Sequence, residues 1–104
     1  MPLFIERGVQ ALRDIEEAFV YIADDNLDTA LNFLISAEES LELLAENPFM
    51  GIERPFADPK LKKMRMWRVK GFEDFLIFYV VESERILLLR VVHAKRDFYL
   101  IFGD

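Results

Sequence analysis

Two apolar runs, Phe75-Leu-Ile-Phe-Tyr-Val-Val81 and Ile86-Leu-Leu-Leu-Arg-Val-Val92, constrain this chain more than any other feature. The first has no polar alternation, which is the pattern of a central strand covered on both faces rather than of a half-solvated one. Glu82-Ser-Glu-Arg85 between them reads as a polar turn, so Phe75–Val81 and Ile86–His93 form a hairpin. Met64–Val69 reads as a further strand, set off by Gly71. These three define an antiparallel sheet that needs a second layer to cover it.

The first half of the chain supplies that layer. Leu12, Ile15, Phe19 and Ile22, with Val9 one turn earlier, recur at the spacing of one helical face. Arg13, Asp14, Glu16 and Glu17 lie between them and are expected to face water. Asp25 or Asn26 is placed to cap a second helix, with Asp28 in its first turn opposing the positive helix end. That helix carries Leu27, Ala30, Leu31, Leu34, Ala37 or Glu38, Leu41, Leu44 and Ala45, and Asn47-Pro48 stops it. So short a connection makes the two helices an antiparallel hairpin. Leu3–Ile5 can start an edge strand, Phe49–Lys63 reads as a Pro-bounded loop, and Phe98–Phe102 as a short apolar tail, strand or one helical turn. The expected fold is α+β: a short N-terminal strand, an antiparallel helical hairpin, then a three-stranded antiparallel sheet with a short C-terminal tail. It forms a single domain over residues 1–104.

Charge is unevenly distributed along this domain. Residues 1–59 carry 13 acids against 3 arginines, whereas residues 60–104 carry 10 cations against 6 acids. Lys60, Lys62, Lys63, Arg65, Arg68 and Lys70 cluster in one segment and are the candidates for binding a polyanion or an acidic protein target. Arg65 and Arg68, three apart on a strand, must point to opposite faces, and Trp67 shares the face of Arg65. The acidic helices read as the solvated sides of amphipathic elements that would also steer a basic partner segment.

Composition excludes several chemistries. With no cysteine there are no disulfides and no thiolate catalysis, and a single histidine without an acidic cluster argues against a zinc enzyme; no cofactor is expected. The N-terminus lacks the features of a signal peptide, and the longest apolar run has seven residues against the ~20 needed to span a bilayer, so a cytoplasmic protein without membrane contact is expected. An apolar fraction of 53% in 104 residues leaves exposed apolar area, for which a partner or, in the free protein, a homodimer is the cover.

If the chain cleaves RNA, the 2′-hydroxyl attack needs a base, cations for the phosphorane charge and an acid for the leaving oxygen. His93 is the candidate base or acid, Arg65 and Arg96 (with Arg68) the charge stabilisers, and Tyr99 a second proton donor. The plain alternative is that His93 satisfies a backbone partner at a strand end and that Arg96 pairs with Asp97 next to it.

The order of elements and four local patterns resemble the RelE/ParE toxin superfamily of bacterial toxin–antitoxin modules. The patterns are Ala11–Ala23; Ala30–Ala45 with Asn47-Pro48 and Gly51; Met64-Arg65 through Phe75-Leu-Ile-Phe-Tyr79; and Ile86-Leu-Leu-Leu-Arg-Val-Val-His93-Ala-Lys-Arg96-Asp97. The last is similar to the ending typical of ParE-like members. The resemblance implies a toxin silenced by a cognate antitoxin of ribbon-helix-helix type. Its ParE-like branch implies non-catalytic inhibition of DNA gyrase. The RelE-like alternative implies ribosome-dependent cleavage of mRNA, and a third reading is a non-toxic member that only binds antitoxin. The sequence pI near 4.8 departs from the usual basic character of these toxins and disfavours seating among ribosomal phosphates.

Overall fold

A computed structural model describes residues 1–54 and 63–97. In chain order the elements are β1 (Phe4–Arg7), α1 (Val9–Ala23), α2 (Leu27–Glu46), β2 (Ile52–Glu53), β3 (Arg65–Val69), β4 (Phe72–Glu82) and β5 (Arg85–His93). The strands form one five-stranded sheet in the order β1-β5-β4-β3-β2. The expected three-stranded antiparallel sheet is therefore its centre, and two additions make it mixed. β1 joins as an edge strand parallel to β5, with Phe4 opposite Arg85 and Arg7 opposite Leu88. Parallel pairing demands a long crossover, and the helical hairpin between β1 and the rest of the sheet provides one. β2 pairs antiparallel with β3 through two residues only, too short for any period to show inside the Pro-bounded segment.

β4 lies at the centre, as its unbroken apolar run requires. Phe75, Ile77 and Tyr79 enter the core beneath the helices, with Phe33, Leu41, Leu44 and Leu88. Leu76, Phe78 and Val80 join Met64 and Val92 in a second core on the opposite face. Phe33 packs edge-on against Phe72 and tilted against Phe75, with centroids 5.3 and 4.9 Å apart. Trp67 is half-buried against the helix-side core.

Both helices form where expected. Asn26 is the cap of α2, its Oδ1 accepting from Thr29 N–H at 3.0 Å, and the helix ends at Glu46, before Pro48. The face that α1 turns to the sheet is a correction. Ala11, Asp14 and Ala18 are buried there, while Val9 is exposed, Leu12 keeps 49% of its surface, and Ile15, Phe19 and Ile22 are partly covered. Alanines at Ala11 and Ala18 let the helix approach the strands closely, and the larger side chains fill the flank. α2 turns its expected face to the core over most of its length, with Ala30, Ala37, Leu41, Leu44 and Ala45 buried; Phe33 and Ser40 join them, while Leu27 and Leu31 are exposed.

Candidate functional site

Asp14, expected in water, is the main polar link between helix and sheet. At 6% exposure its carboxylate accepts from Arg90 Nε (2.7 Å), Arg90 Nη2 (2.9 Å), Val91 N–H (3.0 Å) and Gln10 Nε2 (3.1 Å). A bulge makes this possible. The β4–β5 register slips between Phe78 and Tyr79, opposite Arg90 and Leu88 respectively, so Leu89 is the extra residue. Side chains that would otherwise alternate are re-aimed. Arg90 and Val91 both address α1. Nothing in the one-dimensional pattern marks this pair: Asp14 has the spacing of a solvated residue, and Arg90 interrupts an apolar strand with no sign of its partner.

A second link ties the chain after α2 to the central strand. Tyr79 Oη donates to Pro48 C=O (2.8 Å) and accepts from Gly51 N–H (2.9 Å). Burial pushes the Tyr79 phenol above its ordinary pKa, opposed by the hydrogen bond from Gly51 and by the charge of Arg65. Glycine is required at position 51, because a Cβ there would lie 2.3 Å from the phenolic oxygen. Arg65 completes the clamp. Its Nη1 donates to Gly51 C=O (2.7 Å) and Phe49 C=O (3.2 Å), its guanidinium lies 5.0 Å from the Phe49 ring centre, and Glu53 is 3.9 Å away.

His93 closes β5 and organises the turn behind it. Its Nδ1 accepts backbone N–H from Lys95 (3.3 Å) and Arg96 (3.2 Å), its carbonyl accepts from Asp97 N–H (2.9 Å), and its ring meets Phe75 edge-on at 5.1 Å. Nδ1 is thus an acceptor and Nε2 the nitrogen left to carry a proton. Arg96 makes a forked pair with Asp97 (2.7 to 3.1 Å) and lies over the Tyr21 ring at 4.4 Å. The hydrogen bond from Arg96 holds the Asp97 carboxyl below its usual pKa, against the effect of burial.

The fold brings His93 and Arg96 together but not Arg65. Arg65 stands opposite Tyr79 and His93 opposite Phe75, two strands over and four residues along β4, which places their Cα atoms about 16 Å apart. Tyr99 lies outside the described residues, as do Lys60 and Lys62. Lys63, Arg68 and Lys70 are exposed, and Arg68 donates to Glu73 C=O at 2.7 Å. Arg65 and Arg68 occupy opposite faces of β3, so Arg65 does not join Arg68 on one surface. Among the described residues no three acidic or imidazole side chains are grouped to hold a metal, and no helix is long and apolar enough to cross a membrane.

This architecture, a helical hairpin on a mixed sheet with His93 ending β5 and the Arg96–Asp97 pair in the turn after it, fits the fold expected from the toxin superfamily that the sequence resembles. Residues 5–98 match the family model described as ParE toxin of type II toxin–antitoxin system, parDE. The chain belongs to the ParE toxin family. A search of curated proteins found no match. Among solved structures the chain is similar to the chromosomal ParDE toxin–antitoxin system from P. aeruginosa, with TM-score 0.69 and 18% identity over 88% of this chain and 95% of that one. It is also similar to the toxin–antitoxin complex RelBE2 from Mycobacterium tuberculosis, with TM-score 0.56 and 18% identity over 89% and 99%. At such identities these likenesses speak for the fold.

Proposed function

We propose that this ParE-type toxin acts by binding and inhibiting DNA gyrase, without catalysis, and that a cognate antitoxin of ribbon-helix-helix type neutralises it. The observation that carries this reading is the dispersal of the groups a nuclease would need. His93 Nδ1 is engaged by two backbone N–H groups, Arg96 is paired with Asp97, and Arg65 is committed to a clamp about 16 Å away. Among the described residues a phosphorane would meet no convergent set of His93, Arg96 and Arg65. Binding of a protein target asks for no such convergence, and the exposed Lys63, Arg68 and Lys70 are the cations we assign to it, with Lys60 and Lys62 beside them in sequence. The antitoxin is supported by the family and by the outer side of the hairpin, which leaves Leu12, Val20, Leu27, Leu31 and Ile35 exposed.

The test is His93→Gln, expressed from a tight promoter alongside wild type. Glutamine can still accept a hydrogen bond in the turn, so growth inhibition with DNA damage and filamentation should persist. If the chain cleaved mRNA, loss of a general acid or base would reduce cleavage on the order of 10²–10⁴-fold. A folded, antitoxin-neutralised His93→Gln protein that no longer inhibits growth, while wild type destroys mRNA, supports the RelE-like alternative instead.

A further inference from the structure

A cleft of about 600 Å³ runs along the outer edge of β3, lined by Leu43, Ile52, Met66, Trp67, Arg68 and Lys70 together with Ser40 and the acids Glu39 and Glu73. Its position follows from how β2 ends. Ile52 pairs with Met66, and Arg54 N–H donates to Met64 C=O at 2.8 Å, so alternate residues of β3 address this edge. The next in the series is Arg68, whose partner in a longer β2 would be Met50. The clamps on Gly51 and Pro48 draw the chain away first, and Met50 N–H donates to Asn47 C=O instead. Among the described residues, none takes the place opposite Arg68. The backbone N–H and C=O of Arg68 thus face a groove with an apolar floor.

We propose that this groove docks an extended segment of a partner chain, added to β3 as a strand, in which a carboxylate residue is flanked on both sides by apolar ones. The spacing follows from the pleat. A residue opposite Arg68 shares its face of the sheet, and its two neighbours point to the helix side, toward Trp67 and Leu43. Arg68 and Lys70 select the carboxylate. They also exclude a second copy, because antiparallel pairing of two β3 edges about Arg68 would set arginine against arginine. Of the two acids, the Glu73 carboxylate accepts from Gly71 N–H (2.7 Å), and Glu39 is carried by α2 rather than by the sheet. The inference stands whichever target the toxin inhibits.

Trp67 is the only tryptophan, so its emission reports on the groove directly. The probe is a capped eight-residue peptide alternating valine and glutamate, titrated against the full chain. The controls are the valine–lysine counterpart, octathymidylate and a Leu43→Arg variant. The valine–glutamate peptide should shift Trp67 emission and slow exchange of the Arg68 amide by at least about tenfold at saturation. Leu43→Arg should abolish both effects, and Arg68→Glu should reverse the preference to the lysine peptide; if that variant does not fold, Lys70→Glu carries the same comparison. Equal response to both peptides, a response that leaves Trp67 unchanged, or no response overturns the proposal. A larger response to octathymidylate overturns it in favour of nucleic acid, and a dimer in sedimentation that Leu43→Arg abolishes overturns it in favour of self-pairing.

Discussion

Asp14 and Tyr79 are the two residues on which the attachment of helices to sheet depends. Removing the Asp14 carboxylate strands the Arg90 guanidinium and the Val91 N–H together. Asp14→Ala should therefore cost about 3 kcal/mol, the low end for a broken buried pair, because Arg90 retains 23% exposure. Urea unfolding measures this, and a loss below about 1 kcal/mol would mean that water replaces the carboxylate freely. Tyr79→Phe keeps the ring but leaves Pro48 C=O and Gly51 N–H without their partner, at a cost of about 1–3 kcal/mol. The phenol also predicts a pH dependence. Its folded pKa lies above the ordinary phenol value of 10.0, so the neutral form is favoured by folding. The contribution is complete below pH 10 and is lost as pH rises from there through the folded pKa. Stability of wild type should fall in that alkaline window, and Tyr79→Phe should flatten the fall. An identical decline in both proteins would assign it to other groups.

At the scale of elements, the turn between β4 and β5 carries visible strain. Ser83 and Glu84 both adopt positive φ, 45° and 65°, the geometry of a two-residue hairpin turn that favours glycine or asparagine. Glu84→Gly should raise stability by about 1 kcal/mol, the relief of one left-handed residue less the added freedom of the unfolded chain. A melting temperature that falls instead would show that the Glu84 side chain stabilises the turn. The hairpin itself was legible because β4 is apolar on both faces, and that demand determines its central place. The helices were legible through their apolar spacing and the Asn26 cap. The facing of α1 was not, because hydrophobicity ranks leucine above alanine whereas close helix–sheet packing selects Ala11 and Ala18. β2 and the parallel joining of β1 depend on long-range pairing that leaves no local period. The same limit applies to the site. His93 and Arg96 are three apart in sequence and meet in a turn, but the separation of Arg65 from them, and the pairing of Asp14 with Arg90 across 76 residues, follow only from strand order and a bulge.

At the scale of the whole molecule, the charge split of the sequence resolves into many local pairs rather than one field. Arg7 pairs with Glu38, Arg85 with Glu6 and Glu82, Arg90 with Asp14, and Arg96 with Asp97. Among the described residues, those left for partners include the apolar outer side of the helical hairpin and the exposed cations Arg13, Arg54, Lys63, Arg68 and Lys70. Such a surface suits recognition of proteins more than tracking of a phosphate backbone, which draws on many aligned cations. The most direct measurement is inhibition by the purified toxin in two parallel assays: supercoiling of relaxed plasmid by purified gyrase, and cleavage of mRNA on programmed ribosomes. The account predicts inhibition of supercoiling that added antitoxin reverses, equal for wild type and His93→Gln, with mRNA left intact. Cleavage of mRNA by wild type but not by His93→Gln, with supercoiling unaffected, would contradict it.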